Sequence, residues 1–143
     1  MCESDERWIW RCDRQIPSKT GAGQSLVEEV VRHLEEQQWD QHEIFSVQLA
    51  MEEALVNAVK HGNRMDLSKK VHVKCQMSAE RLRVEIADEG EGFDPNQVPN
   101  PTDPEQLELP HGRGIMLMRN FMSFVEYNAK GNCVTMEKQR AKT

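Results

Sequence analysis

The sequence lacks the marks of several common functions. It has no CxxC pair: its four cysteines stand at positions 2, 12, 75 and 133, too scattered for a structural zinc site. They read as reduced thiols packed as small apolar groups. The five histidines, at 33, 42, 61, 72 and 111, show no HExxH or other ligand spacing, so no histidine-built metal centre is expected. No apolar run approaches the roughly 20 residues that span a bilayer. The opening MCESDERWIWRCDR has no apolar signal core, so the expected location is the cytoplasm, away from membranes. A positive surplus is absent too. Lys and Arg total 18 against 24 Asp and Glu, a net charge of -6, which excludes direct, non-specific nucleic-acid binding as the main activity. There is no G-x-x-x-x-G-K-S/T loop, and Gly112-x-Gly114 lacks the third glycine and the βαβ setting of a dinucleotide fingerprint.

What is present suits one domain over residues 1–143. A chain of this length buries roughly 68–70% of its unfolded surface, enough for a core without staples. Residues 7–12 alternate and predict an opening strand that ends before Pro17. Ser25 followed by Glu28 is a capping-box pattern. Leu26, Val27, Val30, Val31 and Leu34 then recur at helical spacing, and a first helix is expected to about Gln38. A second, over roughly 41–61, carries Ile44, Val47, Met51, Leu55 and Ala58 on one stripe and stops at Gly62-Asn63. Val71, Val73, Cys75 and Met77, then Leu82, Val84 and Ile86, predict a hairpin across Ser78-Ala79-Glu80. A short helix over 114–122 precedes two strands, 124–128 and 133–138, that turn at Lys130-Gly131-Asn132. The order predicts an α+β fold, a two-layer sandwich with helices on one face of a mixed, mostly antiparallel sheet. Five of the six prolines (95, 99, 101, 104 and 110) fall where periodicity vanishes, marking a functional loop or lid over about 94–111.

Three clusters carry chemistry. On the second helix, Glu53 and Asn57 are four residues apart and share a stripe, and the α-helical wheel puts Lys60 on the same side. A carboxylate, an amide oxygen and an ammonium in line offer a base, a magnesium ligand and a phosphate partner. The bland alternative is a solvated polar face. The second cluster, Asp88-Glu89-Gly90-Glu91-Gly92-Phe93-Asp94, ends an apolar strand with an acid and two glycines. These suit an exocyclic amine and close approach of a ligand to backbone, or simply an acidic turn. The third, His111-Gly112-Arg113-Gly114-Ile115-Met116-Leu117-Met118-Arg119-Asn120, opens a helix with bare amides, an anion site or a glycine cap.

Taken together and in this order, these clusters resemble the GHKL ATPase superfamily, the Bergerat fold of gyrase, MutL-type proteins and sensor histidine kinases. The resemblance is closest to the anti-sigma-factor serine/threonine kinases. EEALVNAVKHGN is similar to their N box, DEGEGFDP to their G1 box and HGRGIMLMRNFM to their G2 box, and the likeness spans roughly residues 24–137. It implies Glu53 as general base, Asn57 as the Mg²⁺ ligand and Asp88 as reader of the adenine amine. Gly90, Gly92, Gly112 and Gly114 line the nucleotide in such proteins, Lys60 matches a lysine near the phosphates, and Arg113 is placed to offset phosphoryl charge. The second adenine contact falls to Asn132 or Thr135. Met116 stands where sensor kinases carry a third G2 glycine, which favours the anti-sigma branch. The implied function is an ATP- and Mg²⁺-dependent protein kinase that binds a sigma factor and phosphorylates an anti-anti-sigma antagonist of STAS type, with a homodimer as a possible state. The alternatives are a nucleotide-binding module that sequesters its partner without kinase activity, and a detached sensor-kinase catalytic domain.

Overall fold

The computed structural model describes residues 8–91 and 110–141, with backbone alone for 110–114. In chain order the elements are β1 (Trp10–Pro17), α1 (Gln24–Glu36), α2 (Gln41–Val56), a π-helical turn (Asn57–Gly62), β2 (Lys70–Met77), β3 (Arg81–Ala87), α3 (Pro110–Phe121), β4 (Phe124–Tyr127) and β5 (Cys133–Gln139). The five strands form one sheet in the order β1-β2-β3-β5-β4, and every pairing is antiparallel.

The core lies between the helices and one face of this sheet. Alternation turns Val71, Val73, Cys75 and Met77 of β2 toward the helices, with Leu82, Val84 and Ile86 of β3 and Val134 and Met136 of β5; all are buried. The helices answer with Leu26, Val27, Val30 and Leu34 of α1, Ile44, Val47, Met51 and Leu55 of α2, and Ile115 and Met118 of α3, all buried as well. The intervening strand residues, such as Lys70, Lys74, Arg83 and Glu85, stay on the open face. This is the one-sided antiparallel sheet expected when helices cover only one surface.

Three local expectations need correction. The first strand lies later than expected and includes Pro17, paired with Lys70. As an edge strand it has one neighbour only, so a missing N–H costs no ladder bond. Ser25 does not cap α1: Gly23 stands at the N-cap and no side chain bonds there. A Cβ on Gly23 would come within 2.8 Å of Leu55 Cδ1 and 3.1 Å of Ile16 Cδ1, so packing against α2 sets this helix start. Finally, the second helix turns into a π spiral at Asn57, a widened turn often found at functional sites.

Candidate functional site

The end of α2 and its π turn, the end of β3 and the β4–β5 turn close around one cavity. Its wall contains Ala54, Asn57, Ala58, His61 and Gly62 from the helix, Ile86 and Asp88 from β3, and Tyr127, Gly131, Asn132, Cys133 and Val134. Two clusters some 30 residues apart in the chain thereby meet through Asn57 and Asp88.

Asp88 directly follows β3, and its N–H donates to Asn132 O at 2.9 Å, prolonging the β3–β5 ladder. Its Oδ1 accepts from the Gly90 N–H at 2.8 Å. Burial raises the carboxyl above the usual range, opposed by that N–H and by the charges of Lys130 and Lys69. The approach is tight on both sides. A Cβ on Gly62 would overlap the Asp88 carboxyl group, and one on Gly90 would overlap Gly62 O. Two glycines are therefore required for the helix end and the strand end to touch.

Asn57 opens the π turn. Its Nδ2 is buried without a well-formed hydrogen bond among the described residues, which leaves an interaction that a bound group can complete. The amide also lies against the Tyr127 hydroxyl, where it opposes the burial that raises the phenol. Glu53, one turn earlier, is half-buried. Its charge reaches the same hydroxyl, as does that of Asp88, so the two carboxylates share a field on this side of α2.

The β4–β5 turn is organised by the Asn128 side chain. Asn128 Oδ1 accepts from the N–H groups of Gly131 (2.8 Å), Asn132 (3.0 Å) and Cys133 (3.2 Å). Its Nδ2 donates to Asn132 Oδ1 at 2.8 Å, and Gly131 takes a φ of 80°. This sets Asn132 in the cavity wall. Thr135 is absent from that wall, since alternation along β5 puts it on the face opposite Val134 and Met136.

Not every expected residue joins the site. Lys60 lies in the wall of a different cavity, with Lys19, Thr20, Val27, Glu52 and Val59; the widened π turn displaces it from the line through Glu53 and Asn57. Gly112, Arg113 and Gly114 fall within the first residues of α3, which begins at Pro110 rather than at 114. Gly92 and nearly all of the expected lid lie outside the described residues. Sequence reasoning missed Gly62 as a contact residue and overlooked Tyr127. The available signal was that Tyr127 is the chain's only tyrosine, an apolar ring with a polar tip at a strand end.

A family model described as histidine kinase-like ATPase domain matches residues 16–138. The chain is 31% identical over 107 residues to an anti-sigma F factor of Oceanobacillus iheyensis, covering 71% of this chain and 73% of that protein. It is 34% identical over 104 residues to the serine-protein kinase RsbW of Bacillus subtilis, covering 67% of this chain and 64% of that one. Among solved structures, the RsbU and RsbW domains of a Mycobacterium tuberculosis protein superpose with a TM-score of 0.62 at 15% identity, over 92% of this chain and 32% of that one. That likeness concerns the fold alone.

Proposed function

This chain belongs to the histidine kinase-like ATPase domain family, and from that premise we propose that it is a single-domain serine/threonine protein kinase of the anti-sigma type. It acts in the cytoplasm with ATP and Mg²⁺. It holds a sigma factor or related regulator in one state, and in another it phosphorylates a serine or threonine of an anti-anti-sigma antagonist. One observation carries the reading: Asn57, Asp88 and Asn132 line a single cavity, with Glu53 outside its wall but near enough for its charge to act on Tyr127 in that wall. The names borne by its relatives, an anti-sigma F factor and a serine-protein kinase, support it. Among the described residues no helix is long and apolar enough to cross a membrane.

The residues fit an adenine nucleotide. The Asp88 carboxylate accepts from the exocyclic amine of the base, and Asn132 is the second polar contact. The buried Asn57 amide has hydrogen-bonding capacity to spare, and its oxygen suits a hard cation such as Mg²⁺. Gly90 brings backbone close to the ligand. α3 begins at Pro110, so the N–H groups left free for phosphate oxygens at the positive end of its dipole are those of His111 and Gly112, with Arg113 and Gly114 next in the chain. Lys60 is not assigned to the phosphates, because it lines another cavity. ATP supplies the transferable phosphoryl group, with its charge offset by Mg²⁺. Glu53 takes the proton from the attacking hydroxyl, and Asp88 holds the base in place.

The test is transfer of labelled γ-phosphate to a panel of STAS-type antagonist proteins, run beside nucleotide titration. Glu53→Gln keeps size but cannot accept the proton, so transfer should fall about 10²–10⁴-fold while ATP affinity holds. Wild-type transfer by Glu53→Gln overturns the base assignment. Nucleotide binding without transfer to any antagonist replaces the kinase with the sequestering module.

A further inference from the structure

Asn63 is fully buried, at 0% exposure, and uses its whole side-chain amide. Its Nδ2 donates to Ser18 Oγ at 2.8 Å, just after β1, and to Lys70 O at 2.9 Å, the first residue of β2. Its Oδ1 accepts from the Glu89 N–H at 2.7 Å. Ser18 is also fully buried, and its hydroxyl donates onward to Lys69 O at 2.7 Å. The Asn63 backbone N–H closes on Ala58 O at 2.8 Å, inside the π turn. One side chain thus ties together the helix end, the β1 and β2 termini and the strand-end turn. The chain after it is forced: Arg64 and Met65 take φ values of 53° and 59°, a left-handed conformation unfavourable for side-chain-bearing residues.

The Glu89 amide that Asn63 grips lies between Asp88 and Gly90, the residue whose N–H binds the Asp88 carboxylate. Gly90 in turn presses on Gly62 O, the carbonyl immediately before Asn63. We infer that Asn63 is the positioning residue of the nucleotide site: its Oδ1 fixes the Asp88–Gly90 turn against the helix end, while its Nδ2 anchors that turn to the two strand termini. The inference rests on reading this cavity as the nucleotide site. It assigns Asn63 no contact with the nucleotide; Asn63 acts through Asp88. An amide makes all three bonds, accepting from Glu89 and donating to Ser18 and Lys70, but the positioning itself needs only the acceptor.

The experiment compares wild type, Asn63→Ala, Asn63→Asp and Ser18→Ala in the full chain. It reads thermal midpoint, affinity for a fluorescent ATP analogue and amide hydrogen exchange at Glu89. Ser18→Ala removes a scaffold bond only, so the midpoint falls and affinity stays within about twofold. Asn63→Asp retains the acceptor for Glu89; it loses stability but keeps affinity and Glu89 protection. Asn63→Ala strips the Glu89 N–H of its partner and loses about tenfold or more in affinity. Equal affinity of Asn63→Ala and wild type overturns the inference, as does an equal loss in Ser18→Ala. If Asn63→Ala does not fold, wild-type exchange decides. Protection of the Glu89 amide matching that of β3 supports the inference, and exchange like an exposed loop overturns it. A wild type that binds no ATP analogue removes the nucleotide reading, while Glu89 exchange still tests the grip itself.

Discussion

Two cavities flank the end of α2, and they differ in almost every respect. The one holding Asn57 and Asp88 is small, about 30 Å³, and gathers polar groups from three separate parts of the chain. The one holding Lys60 is roomier, about 300 Å³, and sits between α2 and the loop that leads into α1. Val27, Leu55, Val56 and Val59 dominate it, with charges only at its edge. Size alone would choose the second. The first is the candidate because its groups are half-buried, perturbed and incompletely satisfied, while the lysines of the second are exposed to water. Residues 57 and 60, three positions apart in the π turn, serve different sides of the same segment.

The sharpest way to break the contrast is Gly62→Ala. The added methyl group meets the Asp88 carboxyl, so either the helix end shifts or the carboxylate turns out of the cavity. Overpacking of this kind costs about 1–3 kcal/mol of stability. Loss of the Asp88 contact comes on top, so ATP affinity falls further than in any single change at Asp88. Calorimetric unfolding together with nucleotide titration reads both. Unchanged affinity in a folded Gly62→Ala protein would dissolve the link between the two glycines and the site.

Asp88→Asn comes next. An amide can turn its NH₂ toward the adenine amine, and losing a charged hydrogen bond costs about 1.5–3 kcal/mol of binding. The effect has a pH signature. The folded carboxyl titrates above its usual range because it is buried, so the folded state binds the proton more tightly than the unfolded chain does. In the window between the ordinary carboxylate value and the raised one, Asp88 therefore makes the apo protein less stable as pH rises. Across the same window ATP binding strengthens with pH, since the base needs the ionised form. Both trends should flatten in Asp88→Asn, as seen in urea melts and titrations at several pH values.

The smallest expected effect belongs to the other cavity. Lys60→Ala should alter ATP affinity by less than about twofold, as fits an exposed charge away from the ligand. A tenfold loss would return Lys60 to the phosphates and erase the distinction between the two cavities.

Much of the fold was legible in the residues. The β2–β3 hairpin followed from strict alternation of Val71 through Ile86, and α1 and α2 followed from their apolar stripes. The turn at Lys130-Gly131-Asn132 followed from its glycine. Asn57 and Asp88, picked out as parts of local clusters, do meet. What stayed hidden depends on the third dimension. Gly23 and Gly62 read as punctuation, yet each is small because another element presses on it. Lys60 was placed by an α-helical wheel that ceases to apply once the spiral widens. Asn63 read as a helix stop, because nothing in the neighbouring residues shows that its partners are Ser18 and Glu89.

The strand order carries a consequence for how the molecule assembles. Only β2–β3 and β4–β5 join strands with no helix between them; β1 reaches β2 across both helices, as Cys12 opposite Cys75 shows, and β3 finds β5 across α3 and β4, as Ile86 opposite Val134 shows. Such long loop closures come late and slowly in folding. The candidate site lies where both closures meet, since Asn63 is hydrogen-bonded to Ser18 at the end of β1 and Asp88 to Asn132 just before β5. The pocket is therefore among the last features to form, and a half-folded chain has none. In refolding experiments nucleotide binding should lag behind the recovery of helical signal, and ligand then holds the finished chain by mass action.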